Sequence, residues 1–299
     1  MTGAAFLVGA ALAAQSPFGV CAHLQRNEFD QRDEALRLMS SAGIRHVRAD
    51  IDWNVKKTAD APWDFSRYDA VMDSAMRENI VMLPILNTPP KWATPVSQHL
   101  DDFRDYVAEV MRHVDGKCPA VEVWNEENHP PFWNDAPNVQ EYIPLLRATY
   151  ETVKAIDPNI QVVLGGLAGR RSDYFKTLCT DAKDCFDIVA FHPYNNNHEP
   201  SWEQSGWDDF LGKDYTPGSN GMIDEYLKVM SDTGVSKPVW ITEVGYATHK
   251  SGVGEANQAN YLREVIKHCE SKGIDRVFIY EFRAPEWQDQ PDNAEGYFG

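Results

Sequence analysis

The feature that most restricts the fold of this chain is a regular alternation of short apolar runs with longer amphipathic segments, sustained along most of its 299 residues. Short apolar runs bounded by turn residues read as strands. Apolar residues recurring at i, i+3 and i+4 over a longer window read as helices. The first run, Phe18-Gly-Val-Cys-Ala-His23, precedes a helical segment from Asp30 to Ser41 with Ala35, Leu36 and Met39 on one face and Gly43 as its stop. Strands then follow at His46–Ile51, Ile80–Leu86, Val121–Asn128, Ile160–Gly166, Asp187–His192, Pro238–Tyr246 and Arg276–Phe282. The helices between them are Ser66–Glu78, Leu100–His113, Gln140–Ile156, Asp173–Asp181, Gly221–Thr233 and Asn257–Lys272. Eight strands with seven intervening helices is the count of an α/β fold of the (β/α)8 TIM-barrel type, as one domain over residues 16–299. The chain stops at Gly299 in a Gly-Tyr-Phe-Gly run, so the eighth helix is expected to be missing.

Composition narrows the partners. At 43% hydrophobic residues the chain has enough apolar material for a full core, and a formal net charge of −17 sets it against nucleic acid and anionic membrane surfaces. Neutral sugars are indifferent to that charge. The five cysteines, Cys21, Cys118, Cys179, Cys185 and Cys269, have no CxxC spacing, and the histidines lack the spacing of a shared metal site. No metal or other cofactor is therefore expected. Cys179 and Cys185 either bridge a loop or, like the rest, are free packing thiols. Residues 4–14, Ala-Ala-Phe-Leu-Val-Gly-Ala-Ala-Leu-Ala-Ala, read as a secretion signal or its remnant within residues 1–15, which implies a secreted or periplasmic protein. The run is too short to cross a bilayer, and no other run is long or apolar enough to do so. Oligomeric state is left open.

Polar residues gather at the ends of five of the strands, which is where a barrel builds its site. Arg48 and Asp50 end the second strand, Asn125 and Glu126 the fourth, His192 and Tyr194 the sixth, and Glu243 the seventh. Tyr280 and Glu281 lie on the eighth. Two glutamates on separate strand tips are what glycoside hydrolysis requires, one as acid and one as attacking carboxylate. Trp124-Asn125-Glu126 and Thr242-Glu243 resemble clan A glycoside hydrolases. Phe18-Gly-Val-x-x-His23, Val47-Arg48-x-Asp50, Trp53, Phe191-His-x-Tyr194 and Tyr280-Glu-Phe-Arg283 resemble glycoside hydrolase family 39, from about Pro17 onward.

The resemblance implies Glu126 as acid/base, which must carry its proton, and Glu243 as nucleophile, kept ionised by Arg48 and hydrogen-bonded by Tyr194. Asn125 would then bind the 2-hydroxyl and His192 support the network. Ile279 and Tyr280 stand where that family commonly has a strand-eight tryptophan, and the family's accessory β-sandwich is expected to be missing from this chain.

Among rival carboxylates, Glu122 and Glu127 read as structural, whereas Glu281 either lines the mouth or pairs with Arg283. Trp53, Trp92, Trp133 and Trp287 follow strands and are either sugar platforms or rim packing, while Trp240 belongs to the core. Residues 193–220, with Trp202 and Trp207, form a long loop suited to a cleft wall. The expected function is a retaining β-glycoside hydrolase acting on a carbohydrate, with a β-xyloside-like substrate favoured. The alternatives are an endo-β-glycanase of family 5 type, or a catalytically weak carbohydrate-binding barrel.

Overall fold

A computed structural model describes residues 17–26, 31–130, 132–133, 136–195, 199–200, 221–283 and 292–299. Eight parallel strands close on themselves in chain order: β1 (Phe18–Cys21), β2 (His46–Asp52), β3 (Val81–Asn87), β4 (Ala120–Asn125), β5 (Gln161–Ala168), β6 (Val189–His192), β7 (Val239–Val244) and β8 (Arg276–Ile279). Closure comes from β1 pairing β8, with Gly19 beside Phe278. The helices α1 (Arg32–Ser41), α2 (Ser66–Arg77), α3 (Leu100–Val114), α4 (Val139–Ile156), α5 (Ser172–Asp181), α6 (Met222–Thr233) and α7 (Glu255–Ser271) alternate with the strands. The expected (β/α)8 barrel is thus observed, with element ends within a few residues of those read from periodicity. After β8 the described residues form a 3₁₀ turn at Ala294–Tyr297. No helix among the described residues is long and apolar enough to cross a membrane. The apolar run at residues 4–14 lies outside the described residues.

Helix α3 shows why these segments are helical and where they pack. Phe103, Tyr106, Val107, Val110, Met111 and Val114 recur at helical spacing and are all buried. Full burial of an aliphatic or phenyl side chain contributes about 1.5–3 kcal/mol. Asp101 and Asp102 occupy the first turn and Arg112 and His113 the last, each matching the sign of the helix dipole there. At the end of α1, Gly43 takes φ +82°, the left-handed conformation that lets its amide close back on Ser40.

Strand alternation divides the core in two. Val47, Ile51, Val121, Val123 and Ile241 face the helices, while Cys21, Leu83, Ala120, Val163, Trp240 and Phe278 fill the barrel interior. All five cysteines are buried and free, so Cys179 and Cys185 are not bridged.

Glu127, just beyond β4, is fully buried, and neither carboxyl oxygen has a hydrogen-bond partner among the described residues. A Cβ added at Gly165 would sit 2.3 Å from its Oε2, so glycine is what makes room for the carboxyl. Burial pushes the Glu127 carboxyl well above the usual carboxylate range, and the charges of Glu122 and Glu126 add to this. The fold therefore favours the protonated form. For an acid raised in this way, stability is fully present below the unfolded-state value of about 4.3 and is lost as pH rises above it. In urea unfolding, Glu127→Gln should be less sensitive than wild type to a rise from pH 6 to pH 9. Parallel losses in the two proteins would contradict this assignment.

Candidate active site

The C-terminal ends of the strands open into a cavity of about 940 Å³ lined by Arg48, Asp50, Asn125, Glu126, Tyr194, Glu243 and Tyr280, with further residues from the loops. That size sits near the top of the range of roughly 300–1,000 Å³ for small-molecule sites.

Adjacent residues of a regular strand face opposite ways, yet Asn125 and Glu126 both line the cavity. Two left-handed residues make this possible. Trp124 at φ 75° turns its indole outward, where Nε1 donates to the Phe132 carbonyl at 2.8 Å, and this brings Asn125 inward. Glu126 at φ 50° then re-aims its own carboxyl inward. Such conformations in bulky residues cost on the order of 1–3 kcal/mol each, and they cluster at working sites. Strand β7 reaches the same result by other means. Its register against β8 shifts between Ile241 and Val244, a bulge that lets Thr242 and Glu243 both point inward.

Arg48 is buried at the floor of the cavity. Its Nε and Nη2 donate to the two oxygens of Glu122 at 2.6 and 3.1 Å, its Nη1 to Glu243 Oε1 at 2.5 Å, and its Nη2 also to Asn125 Oδ1 at 2.7 Å. Tyr194 Oη donates to the other oxygen of Glu243 at 2.9 Å. Burial pushes the Glu243 carboxyl upward, but the neighbouring His192 and Arg48, with hydrogen bonds from Tyr194 and Arg48, outweigh it and hold Glu243 below the ordinary range. Burial and the charge of Glu243 push the Tyr194 phenol well up, so it remains a donor.

Glu126 has a different neighbour. Its Oε1 lies 2.8 Å from His192 Nδ1, and His192 Nε2 lies 3.0 Å from Thr242 Oγ1. The Thr242 hydroxyl donates to Glu122 Oε1 at 2.9 Å. A hydroxyl has one proton, and the charged carboxylate is its stronger acceptor. Thr242 therefore accepts from His192 Nε2–H, and Nδ1 is left facing Glu126. The contact between Nδ1 and Oε1 takes one proton, which either the imidazole or the carboxyl can carry. The imidazole fits here only because residue 166 is glycine: a Cβ there would fall 2.0 Å from His192 Nε2.

One ligand atom each from Glu126, His192 and Glu243 lie within 4.8 Å of one another, a grouping that in other surroundings could hold a cation. Here both His192 nitrogens are engaged, and the Arg48 guanidinium lies against Glu243. The donor set is thus arranged around protons and a fixed positive charge, which would repel a divalent ion.

A second polar group forms the wall on the β1–β3 side. Asp50 accepts from Gln25 at 2.8 Å and Asn87 at 2.9 Å, and meets His23 Nδ1 at 3.3 Å. Burial opposes its ionisation, but these contacts, led by His23, hold Asp50 far below the usual carboxylate range. His23 Nε2 lies 3.3 Å from Tyr280 Oη, which donates to Glu295 at 2.5 Å. Aromatic surface comes from Phe132 at the rim and from Phe298, edge-on to Tyr194 and Tyr280.

Several residues expected to touch substrate are placed elsewhere. Trp53 is fully buried, because β2 ends in a 3₁₀ turn that packs its ring against Trp92, Phe103 and Tyr106. Trp133 lies edge-on to Trp124 and Tyr142 and donates to Glu141. Glu281 is buried just past β8 and does not line the cavity. It lies 3.7 Å from His23 Nε2, whereas Arg283 bonds Gln31. Burial pushes Glu281 up to about 7. His192 is wholly buried and meets Glu126 beneath the cavity surface. Trp202, Trp207 and Trp287 lie outside the described residues. Gln25, Asp52, Asn87, Glu295 and Phe298 were not singled out from sequence. Asp50 and Asp52, two and four positions beyond Arg48, share its face of β2 and were the available signal.

A family model for Glycosyl hydrolases family 39 matches residues 104–279, more than half of the chain and including both Glu126 and Glu243. A beta-xylosidase of Geobacillus stearothermophilus is 28% identical over 166 residues, covering 47% of this chain and 33% of that protein. The fold is shared with a family 39 glycoside hydrolase from the gut symbiont Bacteroides cellulosilyticus WH2, at 22% identity and TM-score 0.75, covering 95% of this chain and 59% of that one. It is shared also with a monomeric beta-xylosidase from Caulobacter crescentus CB15, at 17% identity and TM-score 0.70, covering 95% and 64%. The chain thus spans a third of the curated relative and less than two thirds of each of these structures.

Arg48→Met would leave the buried Glu122 without its counter-charge. Removing one partner of a buried pair typically costs about 3–5 kcal/mol. Chemical denaturation should show a loss of that size, and a loss under about 1 kcal/mol would mean that Arg48 does not hold this network together.

Proposed function

Because the chain belongs to glycosyl hydrolases family 39, we propose that it cleaves a β-glycosidic bond with retention, using Glu243 as nucleophile and Glu126 as acid/base. The observation that carries the reading is the close approach of two carboxyl groups in unlike surroundings. Oxygens of Glu126 and Glu243 come within 4.8 Å, which suits the separation of about 5–5.5 Å in retaining enzymes rather than the roughly 6.5–9.5 Å that admits a water in inverting ones.

In the first step the Glu243 carboxylate attacks the anomeric carbon while Glu126 gives its proton to the departing oxygen. This leaves a glycosyl ester on Glu243 and a free aglycone alcohol. In the second, Glu126 takes a proton from water, which attacks the same carbon, releases the sugar and restores both carboxyls. Arg48 and Tyr194 hold one Glu243 oxygen each and so keep the attacking group ionised and oriented. The Asn125 carboxamide, anchored through Oδ1 to Arg48, offers its nitrogen to the sugar 2-hydroxyl.

For the substrate we favour a β-xyloside or a related neutral glycoside. Two relatives described as beta-xylosidases support this. The charge balance supports it too, since Arg48 is committed to Glu122 and Glu243, while Arg26 and Arg67 are exposed at the rim. Export of the chain is part of the proposal and rests on residues 4–14 alone.

Three measurements test this reading. Glu243→Ala should abolish turnover of an aryl β-xyloside, and azide should restore it with an α-glycosyl azide as product. Near-normal rates in the variant would refute the assignment. The acid limb of kcat/KM should lie below about pH 4.3, because Glu243 must be ionised and is held below that value, and Tyr194→Phe should move the limb upward. Finally, aryl β-xylosides should be cleaved much faster than the matching β-glucuronides. A preference for the uronide would reject a neutral substrate.

A further inference from the structure

The loop that follows β4 carries more than Glu126. The His129 amide donates to the Glu126 carbonyl at 2.8 Å and the Phe132 amide to the His129 carbonyl at 3.1 Å. The Phe132 carbonyl is held in turn by Trp124 Nε1 at 2.8 Å. Phe132 is thus fixed through both its amide and its carbonyl to the segment that orients Glu126. The residue is nevertheless 46% exposed, lines the cavity with Glu126 and His129, and has its ring centroid 5.7 Å from that of His129. Exposure of one apolar residue is ordinary, but a ring held over the cavity beside Glu126 is placed to meet a ligand there.

The direction of the reaction says what meets it. Glu243 attacks the anomeric carbon and Glu126 protonates the oxygen that leaves, so the leaving group must lie on the Glu126 side. Among the described residues that line the cavity, Phe132 is an apolar ring close to Glu126. We infer that Phe132 is the platform of the aglycone subsite, taking a leaving group that presents a flat, largely C–H face, such as a second pyranose or an aryl ring. Burying that face against the phenyl removes apolar surface from water on both partners and orients the leaving oxygen toward Glu126. The inference rests on the glycosidase reading, because only that reaction defines a leaving-group side.

The test compares leaving groups that differ in whether they can touch Phe132. Wild type, Phe132→Ala and Phe132→Tyr are assayed on the β-xylobioside or aryl β-xyloside and on the corresponding glycosyl fluoride, whose leaving group has no ring. For Phe132→Ala, kcat/KM on the ring-bearing substrates should fall about tenfold, hydrolysis of the fluoride should stay near wild type, and Phe132→Tyr should recover most of the loss. Equal losses on both kinds of substrate would mean that Phe132 only supports the loop, and no loss on either would mean that the ring meets nothing. Both results overturn the subsite and leave the hydrolase reading intact. Failure of wild type to cleave either kind of substrate overturns the reading itself and the subsite with it.

Discussion

Everything at the mouth of this barrel is arranged around one buried cation. The Arg48 guanidinium, out of contact with water, is clasped by both oxygens of Glu122 and reaches on to Glu243 and Asn125. A charge in that position is tolerated only when it is paired and fully hydrogen-bonded. The bonds that satisfy it therefore also determine where strands β2, β4 and β7 place their side chains. Glu122 is the counterweight. Through Thr242 it sets which nitrogen of His192 carries hydrogen, and through His192 it reaches Glu126. One ion pair thus gives two nearby glutamates different surroundings: guanidinium and phenol donors on Glu243, and the His192 imidazole in direct contact with Glu126.

This arrangement depends on two departures from regular strand geometry. Had β4 and β7 kept their alternation, Glu126 and Asn125 would face opposite sides of the sheet, as would Glu243 and Thr242. The left-handed residues Trp124 and Glu126 break the pattern in one strand, and a bulge breaks it in the other. The strain is held in place by the Trp124–Phe132 hydrogen bond and by packing of Trp124 against Trp133 and Phe103. The tryptophans of this region thus belong to the support of the site. Their placement explains why Trp53, which as a residue could equally be a platform, is covered by protein, and why Trp133 is packed edge-on against Trp124 and Tyr142.

The barrel was legible because its signals are local. Apolar runs such as Ile80–Leu86 and helical faces such as that of α3 repeat with periods that few other folds accommodate, and even the ends came within a few residues. The two catalytic candidates were legible for a similar reason, since Asn-Glu and Thr-Glu close strand-like runs abruptly with polar groups. The β1–β3 wall was harder to read. His23, Gln25, Asp50 and Asn87 come from three separate strand ends, and nothing in the local pattern of any one distinguishes a ligand-facing group from a solvated one. Glu295 and Phe298 follow the last strand with no periodicity at all.

The amino-acid sequence by itself determined the closed barrel, the strand tips that carry chemistry and the two acidic residues that stand on them, because each follows from the period and polarity of short segments. The tertiary structure alone decided which neighbours each carboxyl has, which aromatic rings are covered, and that Phe132 stays in water beside Glu126. Those properties depend on bulges, left-handed turns and contacts between residues far apart in the chain. Their energies arise only when the barrel closes around Arg48.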